Sequence, residues 1–184
     1  MAKKKISEIQ GAEENLKNLK TRMTAGTGAS DWSLDDMKNF LQKRSITDVG
    51  AMTLNKGEVL IIPDDAINHC YPRPFRDDFY PALGVVTEEG KAKAVFLNTF
   101  HKNIPEYAND GTPKGTGKSG ENFEEGRDFY NQVMACPTDE ELLKFLAGKT
   151  LKVVDVKKVQ TARWRNGEIN GTRMAPLPCF QIVG

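Results

Sequence analysis

Apolar and polar positions follow two different periods along this chain, and the change falls near residue 54. Over residues 5–23, Ile6, Ile9, Leu16, Leu19 and Met23 recur at helical spacing with Lys and Glu between them. That pattern predicts an amphipathic helix. The stretch Thr24-Ala25-Gly26-Thr27-Gly28-Ala29 interrupts it as a flexible link. A second helix is predicted from Ser33, where Ser33 and Asp36 have capping-box spacing and Leu34, Met37, Phe40 and Leu41 supply the apolar side. Residues 1–46 thus read as a helical N-terminal extension, and the domain over 47–184 is expected to fold without residues 1–30.

Beyond residue 54 the period shortens. Glu58-Val59-Leu60-Ile61-Ile62, stopped by Pro63, reads as a buried strand. Residues 80–88 form a second strand, Glu89-Gly90 a turn, and Lys91–Phe100 a third strand, together the strongest hairpin signal in the chain. In the third strand Ala92, Ala94, Phe96 and Phe100 are expected on one face, and Lys93, Val95, Leu97 and Thr99 on the other. Residues 105–127 hold Pro105, Pro113 and five glycines, which predicts a long surface loop. Thr138 then caps a short helix with Glu141 answering it, Leu142, Leu143, Phe145 and Leu146 as its buried side and Gly148 as its stop. Leu151–Val159 reads as a long strand, Asn166-Gly167 as a hairpin signal, and Pro178–Val183 as the last strand.

The order strand, strand, strand, long loop, helix, strand, strand resembles the OB-fold, a five-stranded barrel with a helix between its third and fourth strands. Val59–Ile62, Leu83–Val86, Ala92–Phe100, Glu140–Leu146, Leu151–Val159 and Phe180–Val183 carry the likeness. It implies an α+β, mainly β fold built on an OB-like barrel, and single-stranded nucleic-acid binding as its commonest use. The chain lacks the acidic tail with which many single-stranded DNA-binding proteins end.

Composition narrows the classes. The chain has 184 residues, 39% hydrophobic, enough for one core. It shows no apolar run near the roughly 18 residues of a membrane span, and no apolar region behind its basic first residues, so no membrane partner is expected. Three widely spaced cysteines, Cys70, Cys136 and Cys179, argue against a disulfide framework and for a reducing, cytoplasmic setting. The formal net charge of +1 is unevenly spread. Residues 51–90 carry three bases against seven acids, and residues 149–184 seven bases against two acids. A basic C-terminal third attracts phosphates even on a nearly neutral protein.

Four constellations bear on chemistry. Gly111-Thr112-Pro113-Lys114-Gly115-Thr116-Gly117-Lys118-Ser119 resembles a phosphate loop, but Thr112 stands where its first glycine belongs, and Glu106-Tyr107-Ala108-Asn109-Asp110 upstream is no buried strand. His69-Cys70, His101, Cys136 and Cys179 lack metal-ligand spacing, and neither histidine has an evident carboxylate orienter. The pairs Asp64-Asp65, Asp77-Asp78 and Glu88-Glu89 fall at strand ends, where acids serve turns better than a two-metal site. Aromatics interleaved with bases make the stronger signal. They occur at Arg163-Trp164-Arg165 with Lys157 and Lys158, at Arg73, Phe75, Arg76 and Tyr80, and at Lys93, Phe100 and Lys102. Bases stack on such rings while Lys and Arg follow the phosphates. No catalytic residue, metal or cofactor is expected. The sequence points to a non-enzymatic single-stranded DNA- or RNA-binding protein serving replication, recombination or repair. The alternative is a structural or assembly protein, such as a phage virion component, with the N-terminal helices joining copies of the chain.

Overall fold

The computed structural model describes residues 4–24, 53–75, 78–100, 103–107, 113–118, 124–165 and 168–184. The helix expected from Ser33 lies outside the described residues. Six strands form one antiparallel sheet: β1 (Val59–Ile61), β2 (Cys70–Phe75), β3 (Asp78–Thr87), β4 (Ala92–Phe96), β7 (Thr150–Arg165) and β8 (Glu168–Ile182). Between β4 and β7 in the chain, β5 (Asn103–Tyr107) and β6 (Pro113–Lys118) pair as a separate two-stranded sheet. The helices are α1 (Ala12–Thr24), a single turn α2 (Leu97–Phe100), α3 (Arg127–Met134) and α4 (Asp139–Leu146). Among the described residues no helix is long and apolar enough to cross a membrane.

β3 is the hub of the sheet. On one side it pairs with β4, from Ala82↔Phe96 to Val86↔Ala92. On the other it pairs with β2 over Asp78–Leu83 and then with β1 through Val86 and Thr87. β1 passes the sheet on to β7 (Val59↔Lys152, Leu60↔Leu151, Ile61↔Thr150), and β7 to β8. This makes an open sheet of six strands, where a five-stranded barrel was expected, and no ladder closes it among the described residues. Its two ends meet through side chains instead: the rings of Phe100, just after β4, and Phe180 of β8 lie 5.3 Å apart.

The strand period explains how one sheet buries both faces. Leu83, Val85 and Val95 point into the main core with Leu60, Leu151, Val153 and Phe180, where α3 and α4 add Phe129, Val133, Leu142, Leu143 and Leu146. Ala82, Val86 and Ala94 point the other way, against Ala12, Leu16 and Leu19 of α1. Both Ala12 and Leu19 are completely buried. The first helix is therefore part of the packed body rather than a detachable extension, because it covers an apolar face that β3 and β4 would otherwise expose. Gly11, at φ +75°, separates it from the 3-10 turn Ile6–Glu8, so the stripe expected over 5–23 is carried by two elements.

Several local expectations are met in detail. Glu141 donates its backbone N–H to Thr138 Oγ1 at 3.2 Å, capping α4, and Gly148 follows that helix at φ +72°. The β3–β4 hairpin has the expected pairing. Other segments differ from expectation: Leu97–Phe100, read as the end of the third strand, is the helical turn α2, and Arg127–Met134, for which no element was read, is α3. Cys70–Phe75, read as loop, is a strand. Its Pro72 and Pro74 are tolerated because β2 stands at the end of the sheet path, with no ladder on its outer edge among the described residues. Within 105–127, read as one loop, β5 and β6 pair from Asn103↔Lys118 to Tyr107↔Pro113.

Candidate nucleic-acid interface

β7 and β8 run 16 and 15 residues, far longer than the three-residue β1 that ties them to the sheet. Past Val153, which still bonds Gly57 and Glu58, β7 has no ladder partner but β8 among the described residues. The β-branched run Val153, Val154, Val156, Val159 and Thr161 suits such a strand. The pair extends as a two-stranded ribbon to Arg165↔Glu168, on either side of Asn166-Gly167. At about 3.3 Å per residue the full strand spans about 50 Å.

Two irregularities set which side chains the ribbon presents. The register shifts between Val153 and Asp155. This places Asp155 and Lys157 opposite Cys179 and Leu177, while Val156 packs on the main core. At a second shift, between Ala162 and Trp164, Arg163 faces two residues of β8, Asn170 and Gly171, the latter at φ +75°. The exposed Arg163 donates its Nε–H to the Asn170 carbonyl at 3.0 Å, bracing the ribbon across the irregularity. Lys152, Lys158 and Arg173 are exposed along the same two strands. Met174, paired with Gln160, is 59% exposed beside them.

Lys157 differs from these bases. Its ammonium lies 2.9 Å from Asp155 Oδ2 and 3.3 Å from Glu125 Oε1. The hydrogen bonds to Asp155 and Glu125 raise the Lys157 pKa. The bond from Lys157, helped by the Val156 N–H, holds the Asp155 carboxyl below its ordinary value. Glu125 is held low by a backbone hydrogen bond and by Lys157.

The remaining expected site residues are scattered. Trp164 pairs with Ile169 and Arg165 with Glu168 at the outer end of the ribbon. Arg73 and Phe75 stand in β2 and Tyr80 in β3, at Arg73↔Tyr80 and Phe75↔Asp78, separated from β7 in the sheet order by β3 and β1. Lys93 forms an ion pair with Glu58 and donates to the Thr53 carbonyl at 2.8 Å, which fastens residues 53–58 to β4. Phe100, expected to stack on bases, is instead 3% exposed between Phe129 and Phe180. The helical turn of α2 rotates it off the face it would share with Phe96 in a continuous strand. Arg76, Lys102 and His101 lie outside the described residues.

Sequence reasoning missed two features. His69 does have an orienting carboxylate: its Nε2 lies 3.1 Å from Asp65 Oδ1, four residues earlier across the 3-10 turn Ala66–His69. Its Nδ1 lies 3.4 Å from the Tyr71 hydroxyl. Both ring nitrogens are thus engaged, which makes His69 a bridge rather than a base with a nitrogen to spare. It borders a cavity of about 360 Å³ floored by Leu16, Ile62 and Pro63. The other missed residue is Glu125, which meets Lys157 across 32 residues of sequence and has no local signal.

Among the described residues no three His, Cys, Asp or Glu side chains gather closely enough to hold a metal ion. Burial raises the Cys179 thiol to about 11 and raises Cys136 as well, so neither is a thiolate at neutral pH. The chain matches no protein-family model, no curated protein and no solved structure.

Proposed function

We propose that this protein binds single-stranded nucleic acid along the β7–β8 ribbon, with Lys158, Arg163 and Arg173 on the phosphates and Trp164 stacking against bases. The observation that carries the proposal is the exposure of those three basic side chains on one long, narrow ribbon. The register puts Arg173 on the face of Lys157 and Lys158 on the opposite face, so in a segment with seven bases against two acids the ribbon presents positive charge on both faces.

The ladders support an OB-type relationship as part of the same proposal. β1 joins β3 and β7, β3 joins β4, and β7 joins β8, with α4 leading into β7. Those are the pairings of an OB barrel without its closing ladder. On this reading the β3–β4 surface commonly used by such barrels is covered by α1, which leaves the ribbon as the place where a strand is met.

Titrating oligo(dT) into the protein at several salt concentrations tests the proposal. The affinity is expected to fall with salt at a slope of about −0.7 per phosphate neutralised. Replacing Lys158 and Arg173 by Ala is expected to flatten that slope and to weaken all sequences alike, because phosphate contacts carry no sequence information. Trp164→Ala is expected to remove roughly 1–3 kcal/mol of binding that persists at high salt. Self-assembly of the protein with no oligonucleotide binding at low salt overturns the proposal in favour of an assembly role.

A further inference from the structure

Resting on the ribbon as a nucleic-acid interface, we infer that Glu125 acts as an internal competitor of phosphate for Lys157, setting how strongly the inner end of the ribbon holds a strand. Three observations carry the inference. The 3-10 turn Glu124–Gly126 packs on β8, with Gly126 so close that a Cβ there would stand 3.2 Å from Cys179 Cβ. That close approach leaves little room for a side chain at 126 and lays the turn across the same face of the ribbon from which Lys157 projects. Next, Glu125 reaches Lys157 from this turn at 3.3 Å, while Asp155 holds the ammonium from within β7 at 2.9 Å. Finally, Glu125 and Lys157 are both partly open to solvent, at 45% and 32%, so the pair is reachable and exchangeable.

The two carboxylates do different work. Asp155 belongs to the strand, is bonded by the Val156 N–H at 2.8 Å and is approached by Lys56 at 3.8 Å, so it stays with the ribbon whatever binds. Glu125 is the movable partner. With it in place Lys157 carries little net attraction for a strand, and the usable positive charge on that face begins at Arg173, opposite Thr161. Displacing Glu125, or removing its charge, leaves the Lys157 ammonium with Asp155 alone, which Lys56 also approaches, and opens its remaining donor capacity to a phosphate.

The test is a double-mutant cycle of Glu125→Gln and Lys157→Ala in the full chain, with oligo(dT) affinity read at several salt concentrations. Glu125→Gln is expected to tighten binding by roughly two- to fivefold at low salt, the scale of an exposed ion pair. It is also expected to steepen the salt slope by about 0.7, one phosphate. In the Lys157→Ala background the same change is expected to gain little. An equal gain in both backgrounds shows that Glu125 merely repels at a distance and overturns the inference, as does no gain in either. If the parent chain binds and Glu125→Gln leaves it unchanged, the inference fails and the ribbon interface stands. If neither binds at low salt, both fail.

Discussion

The Tyr71 hydroxyl rests against Gly84, where a Cβ would lie 2.8 Å from that oxygen and 3.0 Å from Leu16 Cδ1. Gly84 is needed for room rather than for an unusual backbone angle, since Tyr71 and Leu16 pass directly over β3. Gly84→Ala is expected to destabilise the protein by roughly 1–3 kcal/mol through overpacking. Adding Tyr71→Phe, which removes the nearest atom, is expected to restore part of the loss. Urea unfolding of the two single variants and the double variant measures both effects.

The helix that Gly84 accommodates is expected to be indispensable. Leu19→Ala leaves a hole against Tyr71, Ala82 and Ala94 and is expected to cost roughly 2–5 kcal/mol. Deleting residues 1–24 uncovers that whole face, so the shortened chain is expected to melt at lower temperature and to bind a hydrophobic dye. A shortened chain that melts as the parent does, without dye binding, contradicts the packing of α1.

Stability is expected to decline in mild acid because of His69. Burial lowers its pKa from the ordinary 6.5, opposed by Asp65 and reinforced by Lys20 of α1. The neighbouring Tyr71 hydroxyl, its own pKa raised by burial, stays neutral throughout. The folded state therefore takes up its proton later than the unfolded state does. The stabilisation is complete above pH about 6.5 and is lost as the pH falls from there through the lowered folded value. Urea midpoints measured from pH 7.5 to 5 are expected to fall, and His69→Gln is expected to flatten the curve.

Phe100→Ala separates a core ring from a binding ring. With Phe129 and Phe180 packed around it, the substitution is expected to cost roughly 3–5 kcal/mol. Oligonucleotide affinity of the protein that remains folded is expected to stay unchanged. A binding loss without a stability loss, by calorimetry and titration together, contradicts its place in the core.

Much of the fold was legible in sequence because its signals are local. The hairpin of β3 and β4, the Thr138 cap and the α4 stripe each depend on residues a few positions apart. The inner ends of the strand pair, from Leu151 and from Pro178, and the turn signal at Asn166-Gly167 were legible, but the continuous pairing through residues 160–165 and 168–177 that joins them was not. Long strands with Lys, Arg and Pro become strands by pairing with each other. Cys70–Phe75 went unread for a similar reason: its alternating prolines argue against a strand until a position at the end of the sheet permits one.

The candidate site divides along the same line. By itself the sequence determined that bases gather in the last third, that Arg163-Trp164-Arg165 lies beside a hairpin signal, and that one core could form. Only the tertiary structure decided which of those residues can act. It turned Phe100 inward, tied Lys93 to Glu58, brought Glu125 to Lys157 and laid α1 over β3 and β4. The physical reason is that charge and periodicity belong to neighbours along the chain. A side chain's burial and its ionic partner, by contrast, depend on segments dozens of residues away, which meet only when the sheet assembles.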